Sequence, residues 1–165
     1  MTNLTFQGNP LKIHGKLPNI GDTAPNFSLV KGDLSDIKLS DLSGKKVILN
    51  IFPSIDTPTC ANSTKAFNKK ASEYNNIEIL CVSMDLPFAQ GRFCAAEGIK
   101  EVKTVSAFRN PEFGKDYGVI ITEGPLAGLF SRAVVLIDEN GSIAYTEHVS
   151  ELADEPNYDA VLKLL

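Results

Sequence analysis

Histidine is almost absent from this chain of 165 residues: only His14 and His148 occur. Each falls in a stretch that reads as strand or hairpin, where a surface or packing role is the simpler expectation, so a cysteine–histidine hydrolase has a poor choice of base. No pair of His, Cys or carboxylate residues has the spacing of a ligand set, and no metal is expected. There is no basic run, and the net charge of -4 argues against nucleic acid, whose affinity for proteins rests largely on Lys and Arg displacing counterions from phosphates. Apolar runs such as Val47 to Phe52 are too short to span a bilayer, which argues against a membrane segment. The opening Met1-Thr2-Asn3-Leu4-Thr5-Phe6 lacks the positive and apolar regions of a secretory signal, so a cytoplasmic protein is expected. Gly124-Pro125-Leu126-Ala127-Gly128 does not form a phosphate cradle, and no bound cofactor is expected. Cysteine is also sparse. Three residues, an odd number, do not make a structural disulfide framework, and Cys60 is followed by Ala61-Asn62-Ser63 rather than a Cys-x-x-Cys pair. Any disulfide in a reducing compartment would be transient and catalytic.

What is present suits one compact domain over residues 1–165, since 43% of the chain is hydrophobic. Leu4 and Phe6, a turn at Gly8-Asn9-Pro10, then Leu11 and Ile13 predict a leading β-hairpin, residues 1–15. Phe27 to Val30 reads as a strand, and Val47 to Phe52 as a strand covered on both faces. Thr59 to Tyr74 reads as a helix, because Cys60, Thr64, Phe67, Ala71 and Tyr74 share one face and turn Cys60 toward the sheet. Ile77 to Ser83 completes a βαβ unit. A second helix runs from Pro87 to Gly98, a strand from Val102 to Ser106, and a short helix from Pro111 to Tyr117. After a glycine-bearing loop, Ala133–Ile137 and Ile143–Glu147 form a hairpin, and Tyr158 to Leu165 a last helix. The order predicts an α/β fold with a central mixed sheet flanked by helices.

The three cysteines read differently. Cys81 lies between Leu80 and Val82 in an apolar strand, where burial raises the thiol pKa and makes it inert. Cys94, beside Phe93 and Ala95, is open to either a packing or a functional role. Cys60 follows a polar loop carrying Pro53 and Pro58 and enters its helix in the first turn, where free N–H groups and the helix dipole favour an anion. The alternative is a residue that merely fills space under the helix.

Between an apolar strand and a helix, Pro53-x-x-x-Thr57-x-x-Cys60 resembles the active-site motif of the peroxiredoxins. Within them the chain resembles the bacterial thiol peroxidases, the atypical two-cysteine subfamily. The likeness runs through Asn50-Ile51-Phe52-Pro53-Ser54-Ile55-Asp56-Thr57, Asp85-Leu86-Pro87-Phe88-Ala89-Gln90, Arg92-Phe93-Cys94 and Arg132-Ala133-Val134-Val135, with the leading hairpin. Gly91 and Ala95 depart from the pattern around Cys94. The resemblance implies a thioredoxin-like fold, Cys60 as the peroxidatic cysteine, Cys94 as the resolving one, Thr57 as the peroxide-site hydroxyl, Pro53 as a shield and Arg132 as the active-site arginine. It further implies a homodimer, hydroperoxide substrates and thioredoxin as the reductant.

Such chemistry asks for more than an ionised sulfur. Lowering a thiol from a pKa of ~8.5 to ~6 raises its ionised fraction at pH 7 roughly 30-fold. A Brønsted slope of ~0.45 takes back about 13-fold of that in nucleophilicity. The remaining acceleration must come from groups that orient the peroxide and hold charge on its departing oxygen, and Thr57 and Arg132 suit those tasks. Cys60 and Cys94 lie on consecutive helices, so a bond between them predicts local unwinding at one or both. A non-catalytic peroxide sensor would use the same disulfide. Leu126, Leu129 and Phe130 read either as a groove beside Arg132 for alkyl hydroperoxides or as core or dimer contacts.

Overall fold

In the computed structural model, which describes residues 3–165, the chain opens with a hairpin of β1 (Leu4–Phe6) and β2 (Asn9–Leu11). Met1 and Thr2 of the expected extension lie outside the described residues. The turn sits at Gln7 and Gly8, with φ of 51° and 80°, one residue earlier than Gly8-Asn9-Pro10 suggests. Two left-handed residues in succession match the twist of a tight hairpin, and Pro10 is tolerated because β2 is the outer strand of the ribbon. Ile13 does not continue β2: it belongs to β3 (Ile13–His14), which pairs antiparallel with Ile120–Ile121.

The chain continues through β4 (Ser28–Val30), β5 (Asp36–Lys38) and a 3-10 turn, Leu39–Leu42. The central run is β6 (Lys46–Ile51), α1 (Pro58–Ala71), β7 (Ile77–Ser83), α2 (Pro87–Glu97) and β8 (Lys103–Ser106). Then follow α3 (Glu112–Asp116), β9 (Ile120–Ile121), β10 (Ala133–Ile137), β11 (Ile143–His148) and α4 (Tyr158–Leu162). The expected order of elements is present, while α1 and α4 each stop three residues before their expected ends, Tyr74 and Leu165. Seven strands form one mixed sheet in the order β11-β10-β6-β7-β8-β4-β5, with β6, β7 and β8 parallel and the rest antiparallel to their neighbours.

Alternation along β6 explains both cores. Val47, Leu49 and Ile51 face one way and join Phe27, Phe113, Tyr117 and Phe130. Ile48 faces the other way with Phe52 and Ile79, against Cys60, Phe67 and Ala71 of α1 and Val161 and Leu162 of α4. Phe130 therefore corrects the groove reading for itself: it is fully buried, 5.6 Å from Phe113, on the face away from α1. Register also delivers the site. Because β10 runs antiparallel to β6 with Ala133 opposite Ile51, Arg132 arrives at the same edge of the sheet as the loop leaving β6.

Candidate active site

Cys60 sits in the first turn of α1, facing the sheet, and is completely buried. Arg132, 2% exposed, reaches it from the start of β10. Its Nε donates to the Leu152 carbonyl at 2.9 Å and its Nη2 to Cys60 Sγ at 3.4 Å. Nη1 has no partner among the described residues, nor does any described carboxylate form an ion pair with this guanidinium. A buried cation without a counter-charge is costly, and among the described residues the one anion-capable group within hydrogen-bond reach is the Cys60 sulfur.

The loop before α1 is folded on itself. Thr57 is the N-cap by backbone geometry (φ -89°, ψ 146°), and its carbonyl accepts the Ala61 N–H at 3.0 Å. Its hydroxyl makes no capping bond and instead donates to the Ser54 carbonyl at 3.0 Å, which also accepts the Thr57 N–H at 3.1 Å. With its proton so committed, Thr57 Oγ1 offers only lone pairs, and so can accept a hydrogen bond from a peroxide O–H. Pro53 is buried at the mouth of β6, and Pro58 occupies the first helical position, where a missing N–H costs nothing.

Cys94 is half-buried on α2, packs beside the cluster that holds Cys60, and has its sulfur 3.3 Å from Thr104 Oγ1. All three cysteines are free thiols. Cys81 is fully buried in β7, and burial pushes its thiol up to about 12, as the apolar strand predicts. His148, on β11, lies 2.6 Å from Ser131 Oγ, which also bonds to the Val119 carbonyl at 3.1 Å. Burial lowers the imidazole to about 4, which keeps it neutral. With the serine proton on Val119, His148 donates from Nε2 to Ser131, a packing role. His14 lies exposed in β3.

No sequence motif marks the contribution made by residues 150–153. The Leu152 carbonyl holds Arg132, and the Ala153 carbonyl accepts the Thr59 hydroxyl at 2.8 Å. That segment is pinned in turn by Glu151, whose carboxylate accepts the Ala153 N–H at 2.8 Å, the Gly8 N–H at 2.9 Å and the Thr5 hydroxyl at 3.2 Å. These bonds, the Ala153 N–H foremost, hold its carboxyl below the usual range. Thr5 and Leu152 add a backbone bond of 2.8 Å, so the leading hairpin buttresses the arginine. No local pattern marks these contacts, since they are made by main-chain atoms and by a surface Glu.

Comparison with known proteins identifies the family and the fold. The redoxin family model matches residues 19–162. A thiol peroxidase of Mycobacterium bovis is 52% identical and one of Corynebacterium glutamicum 48% identical, each over 165 residues covering all of this chain and 99% of the relative. The crystal structure of a peroxiredoxin-like protein from Aquifex aeolicus superposes with a TM-score of 0.94 at 38% identity, over 99% of this chain and 95% of that one. The fold is thus the thioredoxin-like fold of the peroxiredoxins. The chain belongs to the redoxin family and, within it, to the thiol peroxidases, enzymes that reduce peroxides through a thiol.

Proposed function

We propose that the chain, as a single domain, reduces hydrogen peroxide and organic hydroperoxides through Cys60, resolves the product with Cys94, and is recycled by thioredoxin. The observation that carries this reading is the buried Arg132 guanidinium, with no carboxylate partner and its Nη2 on the Cys60 sulfur. The guanidinium supplies the counter-charge for the thiolate. Its unpartnered Nη1 is free to donate to the peroxide, while Thr57 Oγ1 accepts a hydrogen bond from the peroxide O–H and fixes the line of attack.

The thiolate displaces the far oxygen: an S–O bond forms, the O–O bond breaks, and hydroxide or alkoxide leaves to take up a proton. Pro53, buried just after β6, takes the shielding role that the motif resemblance gives it. The Cys60 sulfenic acid then condenses with the Cys94 thiol, releasing water and forming an intrasubunit disulfide before further oxidation traps the sulfur. A dithiol reductant returns both cysteines by exchange. Cys60 is fully buried, so both peroxide entry and disulfide formation need movement at the first turn of α1 or around it.

The resemblance to the thiol peroxidases also supports a homodimer and cytoplasmic action. Among the described residues no helix is long and apolar enough to cross a membrane. A sensor using the same Cys60–Cys94 bond is separated from the enzyme by steady-state peroxide consumption coupled to thioredoxin and its reductase. The enzyme turns over continuously and Cys60→Ser stops it; a sensor consumes one equivalent and halts.

A further inference from the structure

Asp85 stands between the two cysteine-bearing elements and has no role in the chemistry above. It follows β7 and its carboxylate faces the loop that leaves β6. Oδ1 accepts the Ser54 hydroxyl at 2.8 Å, and Oδ2 accepts the Ile55 N–H at 2.7 Å. Ser54 is the residue whose carbonyl receives both the hydroxyl and the N–H of Thr57. The turn that aims Thr57 is therefore held at its base by one carboxylate.

The same carboxylate is tied to α2. Oδ2 also accepts the Ser83 hydroxyl at 2.6 Å, and Ser83 Oγ in turn accepts from Gln90 Nε2 at 3.1 Å. Gln90 Nε2 further donates to the Val105 carbonyl at 2.9 Å. Gln90 is 1% exposed and lies one helical turn before Cys94, on the same face of α2. It is also one of only two buried residues of that helix, the other being Pro87. A helix with so small an apolar face is anchored by this amide. Phe93 and Cys94, both partly buried, pack against the cluster that holds Cys60, and the polar ties to the α1 side among the described residues are the exposed pairs Arg92–Asp56 at 3.2 Å and Lys65–Glu97 at 3.1 Å and, just beyond the helix, the Asn68 bonds to Lys100 and Glu101 N–H; solvent-exposed ion pairs contribute little.

We propose that Asp85 is a positioning residue for the peroxide site and that Ser83 and Gln90 relay to it the state of the helix that carries Cys94. While α2 is folded, Gln90 orients Ser83, Ser83 and Ser54 share Asp85, and Thr57 is aimed for attack. When α2 unwinds to bring Cys94 to the sulfenic acid, Gln90 withdraws and the turn slackens. The site is thereby set for peroxide only when the resolving helix is docked. This rests on Cys60 as the reacting thiol and Cys94 as its partner.

The test is single-turnover oxidation of Cys60, measured by rapid quench and mass spectrometry in a Cys94→Ser background so that resolution does not contribute. Asp85→Ala lowers the peroxide rate constant about 100-fold, the cost of a small misplacement near reacting atoms, and Asp85→Asn, which keeps one acceptor oxygen, recovers part of it. Gln90→Leu lowers the rate several-fold, but added to Asp85→Ala it lowers it no further, because Gln90 acts through Asp85. Alkylation of Cys60 by iodoacetamide does not fall in parallel, since general loosening exposes the sulfur rather than hiding it. Full peroxide rates in Asp85→Ala, multiplicative losses in the double variant, or equal losses toward iodoacetamide overturn the relay. If Asp85→Ala does not fold, Asp85→Asn and Gln90→Leu carry the same cycle. A parent chain that peroxide does not oxidise at Cys60 overturns the peroxidase reading itself, whereas normal oxidation with unaffected variants overturns only the relay.

Discussion

Arg132 Nη2 lies 3.4 Å from Cys60 Sγ across 72 residues of sequence, and Arg132 Nε is fixed by the Leu152 carbonyl. A planar fork that bonds a backbone oxygen on one edge and the sulfur on another cannot be replaced by a point charge. Arg132→Lys is predicted to lower the second-order rate constant for Cys60 oxidation about 100-fold and Arg132→Met up to about 1,000-fold, the scale of losing an oriented charge donor. Stopped-flow measurement over peroxide concentration checks this. Equal rates for Arg and Lys would mean that charge alone matters.

Cys81 is predicted to stay out of the chemistry. With its thiol pushed up to about 12, roughly one molecule in ten thousand is ionised at pH 8. Native iodoacetamide labelling should leave Cys81 unmodified while denaturant exposes it, and Cys81→Ser should retain peroxide turnover within about twofold. Native labelling at Cys81 contradicts this.

His148 gives the folded chain a pH dependence. Its ordinary value is 6.5, and burial lowers it to about 4. Between those values the unfolded chain binds the proton and the folded chain does not, so stability present above pH 6.5 is lost as pH falls toward 4. The loss is on the order of 3 kcal/mol. Urea unfolding at several pH values should show a steeper acid loss in the parent than in His148→Gln. Identical slopes would remove His148 from the account.

Much of this was legible in the sequence. The alternation of Val47, Ile48, Leu49 and Ile51 announces a strand buried on both faces, and the spacing of Cys60, Phe67 and Ala71 announces the face of α1 that turns inward. The motif named Cys60, Thr57, Pro53 and Arg132 by resemblance, and folding brings Cys60 and Arg132 into contact, with Thr57 one turn from the sulfur and Pro53 at the loop's start. What the sequence hid are long-range contacts without a local period. The short strands β5 and β9 exist through pairing, Ile37 opposite Leu29 and Ile121 opposite Ile13. The Leu152 and Ala153 carbonyls act through the main chain, which carries no residue signature. A threonine at a helix N-cap can address the helix N–H groups, the sulfur or the peroxide, and position alone does not choose among them; here the hydroxyl turns back to the Ser54 carbonyl because the loop closes on itself.

The leading hairpin supports the arginine through Glu151, which joins Thr5 and Gly8 to the Ala153 N–H. Glu151→Ala frees the segment whose carbonyls hold Arg132 and Thr59, and is predicted to lower Cys60 oxidation about 10-fold while the melting temperature shifts little. Unchanged oxidation kinetics would reduce the hairpin to an ornament of the fold.

The central claim is that one peroxide molecule converts the Cys60 thiol into a Cys60–Cys94 disulfide within one chain. Intact-mass measurement and peptide mapping after one equivalent of hydrogen peroxide test it most directly, on the parent chain and on each Cys→Ser variant. The account predicts loss of two hydrogens with a Cys60–Cys94 cross-linked peptide in the parent, a stable oxidised Cys60 in Cys94→Ser, and no reaction in Cys60→Ser. A cross-link through Cys81, or oxidation that survives Cys60→Ser, would contradict it.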